Sequence, residues 1–314
     1  MRYCFGVDIG GTTVKMGLFE AAGEILDKWE IKTRTENNGS AILPDVAEAI
    51  LKKVEEHKLN KEDIVGVGVG VPAPATEEGF VYKSANLGWE NKDVKKELEE
   101  LTGFKAEIGN DANVAALGEM WKGGGAGYKN LVMVTLGTGV GGGIISNGKI
   151  LVGSHGAGGE IGHLLVNPHE QDTCGCGRKG CLEQYASATG IVRLAKRKLQ
   201  NETRSTSLDV EAISAKSIFD AVKEGDIVAQ EIAKEFGRYL GNALSNIAVI
   251  TDPSIFVIGG GVSKAGEILL DYIKAPYQER AFFANEDVKF ALATLGNDAG
   301  ICGAAKLVLD DLAD

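Results

Sequence analysis

The chain has 314 residues, of which 44% are hydrophobic and 25% charged, with a formal net charge of −11. These are the proportions of an ordinary globular protein, and the length favours two domains over one. The negative charge argues against a nucleic-acid-binding surface, so an anionic ligand would be held locally, by backbone amides, helix N-termini or a metal. No apolar run reaches about 18 residues, and Asp8 interrupts the first strand, so we expect a cytoplasmic protein with neither membrane span nor signal peptide.

Strands and helices alternate along the chain, which predicts an α/β fold. In chain order, the patterns predict a β-meander over 3–35, a helix over 42–57, a buried strand over 64–71, a surface helix over 91–102, a strand over 105–108 and a helix over 112–121. Helices are also predicted over 182–199, 214–224, 226–250 and 300–312, and a strand over 254–258. The glycine run at 123–127 predicts a hinge between a small domain, 1–120, and a larger one, 121–314. The last helix is expected to pack back on the small domain.

A glycine- and threonine-rich turn between two apolar runs occurs twice, about 127 residues apart, at 7–19 and at 134–145. Repetition of a whole strand-turn-strand unit indicates two related halves. Glycine lets backbone N–H groups approach a phosphate closely, and threonine hydroxyls add donors. The candidate phosphate-binding residues are Gly10, Gly11, Thr12 and Thr13 in the first turn and Thr138 and Gly139 in the second. The alternative is a pair of turns that bind no ligand.

Asp8 precedes the first turn, where a carboxylate is badly placed beside phosphate unless a cation lies between them, so it is a candidate ligand of Mg²⁺. Lys15 either reaches a phosphate or is a solvated residue of an edge strand. A third glycine turn, Gly259, Gly260 and Gly261, follows a buried strand and either lets a ribose or a flat ring lie against the backbone or is an ordinary turn.

Two familiar nucleotide motifs are matched only in letters. Residues 137–142 match the glycine fingerprint of dinucleotide-binding folds, but a strand and an Asn-Gly turn follow where that fingerprint needs a helix. Residues 143–149 nearly match a P-loop, but Ile150 replaces the hydroxyl residue that would bind Mg²⁺. Both matches are interpreted as coincidences.

Asn110 and Asp111 stand between a predicted strand and a predicted helix. Ligands of α/β sheets bind outside the carboxyl ends of strands, and a phosphoryl acceptor hydroxyl needs a base such as aspartate. Asp111 is therefore a candidate general base, with Asn110 hydrogen-bonding the acceptor. The alternative is that either residue only caps the helix.

Three cysteines, Cys174, Cys176 and Cys181, cluster behind several histidines. Three thiolates and one imidazole suit tetrahedral Zn²⁺, and a full ligand set makes a structural site. From the spacing alone, His155, His163 and His169 are all candidates for the fourth ligand. Glu160 and Glu183 flank the cluster and could accept hydrogen bonds from sugar hydroxyls. The alternatives are three reduced thiols and two exposed glutamates.

Four segments together resemble one family. Residues 8–12 (DIGGT), 110–113 (NDAN), 158–163 (GGEIGH) and 174–183 (CGCGRKGCLE) look like the ROK family of repressors and sugar kinases, and the resemblance covers nearly the whole chain in the right order. It implies a two-domain, actin-like fold related to ribonuclease H, with the active site between the domains. It implies ATP and Mg²⁺ as co-substrates, and usually a homodimer or homotetramer.

The resemblance also assigns roles. Asp111 would be the general base for the 6-hydroxyl of a hexose, glucose first. Contacts to the sugar would come from Asn86, Asn110, Asp111, Glu160, His163 and Glu183, and zinc would be held by His163, Cys174, Cys176 and Cys181. One departure is Ala73, where the family commonly has glycine, which bears on the fit of the sugar. The alternatives are a kinase for another hexose or an N-acetylhexosamine, such as N-acetylmannosamine, N-acetylglucosamine, mannose or fructose, and a non-catalytic sugar sensor.

Overall fold

The computed structural model describes residues 1–310, which form parts of two compact units. The first unit comprises Met1–Gly127, Gly143–Gly159 and the described residues from Leu295 onward. The second comprises Tyr128–Gly142 and Glu160–Thr294. Across the described residues, every helix is too short or too polar to span a membrane.

Both halves of the chain alternate strands with helices. The elements up to residue 127 are β1 (Tyr3–Ile9), β2 (Thr13–Glu20), β3 (Ile25–Lys32), α1 (Glu36–Gly39), α2 (Ile42–Glu56), β4 (Ile64–Val71), β5 (Phe80–Ser84), β6 (Trp89–Asp93), α3 (Val94–Thr102), β7 (Ala106–Asn110) and α4 (Asp111–Lys122). Those that follow are β8 (Leu131–Leu136), β9 (Val140–Ser146), β10 (Lys149–Ile150), α5 (Glu183–Ala186), α6 (Ala188–Leu199), α7 (Ala215–Lys223), α8 (Ile227–Thr251), β11 (Ile255–Gly259), α9 (Glu267–Gln278), β12 (Lys289–Leu292) and α10 (Ala299–Asp310).

Two five-stranded sheets have the same topology. Their strand orders are β3-β2-β1-β4-β7 and β10-β9-β8-β11-β12, so in each sheet the first strand lies between its hairpin partner and a parallel fourth strand. The predicted relation between the two halves is therefore confirmed at the level of topology, and so is the α/β class. The strand β9 that follows the second turn, and its hairpin to β10, agree with the rejection of both nucleotide motifs.

Most predicted elements are confirmed within a few residues, but two helices differ. The helix expected over 91–102 starts at Val94, because the side chain of Asp93 accepts the Lys96 N–H as an N-cap and the preceding residues pair with β5. The helix expected over 182–199 is broken at Ser187, whose hydroxyl donates to the carbonyl of Glu183 and accepts the Gly190 N–H. Residues 311 and 312 of the last predicted helix lie outside the described residues.

Several elements were not predicted from the sequence. These are α1, β5, β6, α9 and β12. Helix α9 has an internal proline, Pro276, and buried residues at helical spacing, which are Leu269, Leu270, Ile273 and Tyr277. Strand β12 has only four residues, and each is half-buried or exposed.

Helix α10 packs against one face of the first sheet and against α4 at backbone distance. A β-carbon built on Gly68 of β4 would lie 1.7 Å from the carbonyl oxygen of Ala304, and one built on Gly303 would lie 1.7 Å from that of Val114. Side chains on both sides of these contacts form a continuous core, which includes Cys4, Phe19, Val65, Ile301, Cys302, Ala305 and Val308. Glycine is required at these positions because the atom that an added β-carbon would meet is a backbone carbonyl oxygen. Unlike the end of a flexible side chain, it cannot move aside.

Glu119 of α4 is fully buried and holds two loops by their backbone. Its Oε2 accepts the Gly124 N–H at 2.8 Å and its Oε1 accepts the Leu295 N–H at 2.9 Å. These loops flank two of the four points at which the chain passes between the units, after Gly127 and at Leu295. One buried carboxylate thus fixes both segments to the helix that begins at Asp111.

We predict that Gly303→Ala lowers the free energy of unfolding by about 3 kcal/mol, because the added methyl group is pressed against the Val114 carbonyl. An alanine in an unconstrained helix would instead stabilise it by up to about 1 kcal/mol. Urea unfolding followed by circular dichroism measures the change. Gly261→Ala is the control, because a β-carbon there meets no atom within 4 Å. Equal stability of the two variants would contradict this packing.

Candidate active site

The first glycine turn joins β1 to β2 and stands at the carboxyl end of β1. The turn is closed by a hydrogen bond from the Gly10 N–H to the Thr13 carbonyl, at 3.0 Å, and the Thr33 hydroxyl donates to the Gly10 carbonyl at 2.7 Å. Gly11 and Thr12 are exposed at its tip, with Thr13 half-buried behind them. The backbone amides of an exposed, internally braced turn are available to an anionic ligand.

Asp8 lies below this turn and against the first turn of α10. A β-carbon built on Gly300 would lie 2.6 Å from the Asp8 carboxylate. Burial raises the pKa of Asp8, and the neighbouring Lys15 opposes the rise. Lys15 faces Asp8 on β1 and Glu30 on β3, so β2 is an inner strand and the edge-strand alternative for Lys15 is wrong. A half-buried carboxylate whose charged form is poorly solvated is stabilised by a bound cation.

Asn86 is exposed in the loop between β5 and β6, next to the first turn. A β-carbon built on Gly11 would lie 3.8 Å from the Cβ atom of Asn86. The structure therefore brings a predicted sugar residue and a predicted phosphate residue together, although 75 residues separate them in the sequence (86 − 11).

Asn110, not Asp111, is the N-cap of α4. Its side-chain oxygen accepts the N–H groups of Ala112 and Asn113, at 3.0 and 3.2 Å, and Asp111 is the first helical residue. The capping alternative is thus correct for Asn110. The Asp111 Oδ1 accepts the Ala112 N–H at 2.8 Å, which fixes the carboxylate at the helix N-terminus.

Asp8 and Asp111 stand at the same edge of the first sheet, because β1, β4 and β7 run parallel. The strand register places Asp8 opposite Gly70 and Gly70 opposite Gly109, two strand spacings or about 10 Å in all. The edge between the two carboxylates is the kind of place at which α/β sheets bind ligands.

Ala73 follows β4 at this edge and is buried. Its carbonyl accepts the Asn110 side-chain N–H at 3.3 Å. Ala73 is not among the described residues that have a positive φ, so alanine fits this backbone without strain.

In the second unit, Glu183 contacts the second glycine turn. The Glu183 Oε2 accepts the Val140 N–H at 3.1 Å, and a β-carbon built on Gly139 would lie 2.1 Å from the same oxygen. The turn is also bound to the start of α6. The Ala188 N–H donates to the Gly137 carbonyl and the Thr189 hydroxyl donates to the Thr138 carbonyl, both at 2.8 Å.

A cavity of about 350 Å³ opens beside the third glycine turn, within the second unit. Gly261 and Ala188 both line it, which connects it to the second turn. Its walls are mainly apolar, with a Lys216–Asp220 ion pair on the α7 side, and the full lining is Ala188, Ser214, Ala215, Lys216, Phe219, Asp220, Gly261, Val262, Lys264 and Ala265. Such a cavity suits a flat aromatic ligand with a polar edge.

The metal-binding prediction converges on one histidine. Donor atoms of His163, Cys174, Cys176 and Cys181 all lie within 4.8 Å of one another, whereas the cluster includes neither His155 nor His169. The Cys176 and Cys181 Sγ atoms are 3.6 Å apart, and Cys174 Sγ is 3.9 Å from His163 Nδ1. Tetrahedral zinc with bonds of about 2.3 Å to sulfur needs sulfur atoms about 3.8 Å apart. Hydrogen bonding by the Arg178 backbone lowers the pKa of Cys176 to about 6, whereas burial raises the pKa of Cys174 and of Cys181.

A buried carboxylate, Glu170, supports the cysteine segment. It accepts hydrogen bonds from Arg193 and Arg197 of α6 and from the hydroxyl of Tyr185, and the Arg197 guanidinium holds the pKa of Glu170 well below its usual range. Tyr185 stacks on Tyr239 of α8 with ring centroids 4.0 Å apart. The helix that starts with Glu183 is thereby fixed on both sides.

Sequence reasoning missed two groups of site residues. The walls of the cavity contributed by α7 carry no motif. The second is Asn113, the last residue of the NDAN segment. Its side-chain N–H donates to the Gly158 carbonyl at 3.2 Å and so attaches the loop before Glu160 to α4. The available signal in the sequence was its place in the NDAN segment, and the structure shows it buried.

The chain was compared with known proteins. The model of the ROK family matches residues 4–311. A glucokinase from Halalkalibacterium halodurans is 45% identical over 98% of this chain and 95% of its own length. Among solved structures, a ROK family glucokinase from Streptomyces griseus, in complex with glucose and AMPPNP, has a TM-score of 0.75 at 34% identity, covering 97% of this chain and 98% of that one. A ROK hexokinase from Thermus thermophilus has a TM-score of 0.83 at 30% identity and covers the whole of both chains.

We predict about one zinc ion per chain in the purified protein, measured by mass spectrometry of the metal content. Cys176→Ser should lose it, because a hydroxyl is a poor substitute for a thiolate ligand. Cys302→Ala is the matched control, since it removes a buried thiol outside the cluster and should keep the metal. Zinc retained by Cys176→Ser at the wild-type level would argue against the site.

Proposed function

The chain belongs to the ROK family, and on that premise we propose that it is an ATP-dependent glucokinase, which transfers the γ-phosphoryl group of ATP to the 6-hydroxyl of glucose. The observation that carries the substrate is the 45% identity to a glucokinase along nearly the entire chain. The Streptomyces griseus protein, solved with glucose and an ATP analogue, supports the pairing of these two ligands.

On the acceptor side, Asp111 is the proposed general base. Its carboxylate is fixed at the start of α4 by the Ala112 N–H, at the sheet edge that it shares with Asp8. It would accept the proton of the 6-hydroxyl as the hydroxyl oxygen attacks the γ-phosphorus and the bond to ADP breaks. The sugar hydroxyls would be bound by Asn86, Asn110, Glu160, His163 and Glu183, and zinc would fix the ring of His163 and the segment before Glu183.

On the donor side, the two hairpin turns would bind the phosphates through backbone amides, Thr12, Thr13 and Thr138. Bound Mg²⁺ would neutralise the charge of the phosphates during transfer. Asp8 would orient that ion, directly or through water, and Lys15 would lie beside it. The cavity beside Gly261 would take the adenine and ribose of ATP, with Gly259 and Gly260 forming the turn that leads to it.

Two alternatives are kept. The first is that the chain phosphorylates a different hexose or an N-acetylhexosamine. The second is that it senses a sugar without catalysis. A pure sensor needs neither a base nor a cation site, so the braced Asp111 and the half-buried, desolvated Asp8 favour the enzyme. A cytoplasmic location, which suits ATP and reduced thiolates, and assembly as a homodimer or homotetramer remain predictions.

The proposal is tested by sugar-dependent release of ADP from Mg·ATP across a panel of hexoses and N-acetylhexosamines. We expect turnover with glucose to exceed that with every other sugar. Turnover only with an acetylated sugar would replace the substrate, and none with any sugar would favour the sensor.

We predict that Asp111→Asn lowers kcat at least about 100-fold with little change in glucose affinity, because the amide fills the same space but cannot accept the proton. Kinetics and calorimetric titration with glucose separate the two effects. The control is Asp93→Asn, which makes the same change at a residue that only caps α3. A kcat for Asp111→Asn close to that of the control would remove Asp111 from the mechanism.

We predict that Gly261→Val raises KM for ATP about tenfold or more and leaves glucose affinity unchanged. A β-carbon on Gly261 meets no protein atom within 4 Å and lies at the cavity wall, so the isopropyl group would occupy ligand space without disturbing the fold. The measurement is KM for ATP at saturating glucose, with glucose titration as the internal control. Wild-type KM in this variant would mean that the nucleotide lies elsewhere.

A further inference from the structure

The carboxylate of Glu183 reaches both the metal cluster and the second hairpin. Its Oε2 accepts the Val140 N–H at 3.1 Å, at the first residue of β9. Its Oε1 lies 3.6 Å from Cys174 Sγ. Glu183 is half-buried, so it retains a face toward solvent while its Oε2 is engaged by the backbone.

The turn is built around this carboxylate. Gly139 leaves no room for a side chain, because a β-carbon there would lie 2.1 Å from Glu183 Oε2. Gly139 is not among the described glycines that have a positive φ, so its backbone conformation does not require glycine. The neighbouring Gly137 is different, since a β-carbon there meets no atom closer than 4.0 Å. The need for glycine at 139 therefore comes from Glu183 itself.

We propose that Glu183 is a positioning residue for the phosphate-binding turn of the second hairpin, in addition to the sugar contact that the proposed function gives it. This inference rests on that proposed function. The Glu183 carboxylate would accept a hydrogen bond from the backbone N–H of Val140, which follows Thr138 and Gly139, and another from a sugar hydroxyl. The phosphate turn would then be fixed relative to the sugar by a single side chain. The positioning role needs a hydrogen-bond acceptor, whereas the sugar role uses the charge.

The main experiment measures Mg·ADP affinity by calorimetry with no sugar present. We expect Glu183→Ala to weaken Mg·ADP binding about tenfold, because the Val140 N–H loses its acceptor and the turn loses its support. Glu183→Gln keeps an amide oxygen for this N–H, so its Mg·ADP affinity should stay within about twofold of wild type. Its glucose affinity should nevertheless fall. Zinc content, measured for each variant, should be unchanged.

Glu160→Ala is the matched control. Glu160 has the same charge and the same proposed sugar role, but it is an exposed residue before the short helix Ile161–His163. It should lose glucose affinity and bind Mg·ADP as wild type does. Mg·ADP affinity that is unchanged in Glu183→Ala, or reduced equally in Glu160→Ala, would overturn the inference.

A second measurement changes the turn and follows the effect on glucose binding. Gly139→Ala should weaken glucose binding at least about fivefold with no nucleotide present, because the methyl group displaces the Glu183 carboxylate. Gly137→Ala, which has space for its methyl group, should leave glucose binding unchanged. Equal glucose affinities for the two variants would count against the inference. A wild-type protein without glucose-dependent ADP release would refute the proposed function instead, and the Mg·ADP comparison, which uses no sugar, would still decide the role of Glu183.

Discussion

The contact of α10 with β1, β4 and α4 is the constraint on which the first unit depends. The Ala304 carbonyl of α10 meets Gly68 of β4, and Gly303 of α10 meets the Val114 carbonyl of α4, both at distances that only a hydrogen atom can fill. Backbone-to-backbone packing is stiff, because it has no side-chain rotamers with which to adapt. The same helix begins beside Asp8, and α4 begins at Asp111, so the two carboxylates at the sheet edge take their positions from one rigid contact.

The two sheets share a topology but support their glycine turns differently. In the first, the hydroxyl of Thr33, the residue that follows β3, braces the turn, and a loop residue, Asn86, lies next to it. In the second, the turn is attached to α6 and to Glu183, whose surroundings include Cys174 and the Glu170 network. A repeated scaffold thus carries two unlike environments.

Much of this architecture could be predicted from the sequence, because it follows local rules. Hairpins with glycine turns, buried strands and periodic helices have short-range signals, and three clustered cysteines restrict a metal site to few partners. No local pattern contains the distances that single out one of three histidines as the metal ligand. The same holds for the helix cap, which is Asn110 and not Asp111. The cavity was missed for the same reason, since α7 contributes to it only through tertiary packing. Ser187 fits a helical pattern in the sequence, but in the structure its hydroxyl hydrogen-bonds the backbone of both α5 and α6 and so ends one helix and begins the next.

The close fit of α10 has a consequence for how the chain is made. A ribosome delivers β1, β4 and α4 early and α10 only after the second unit, so during most of synthesis α4 lies on its face of the first sheet without the neighbouring α10. All of the second unit, which ends at Thr294, is translated before α10. The order of completion is therefore the reverse of the usual N-terminal-first sequence, because contacts between distant parts of a chain wait for the later part. Truncated or stalled products would expose the apolar face that includes Cys4, Phe19 and Val65, the kind of surface that chaperones recognise.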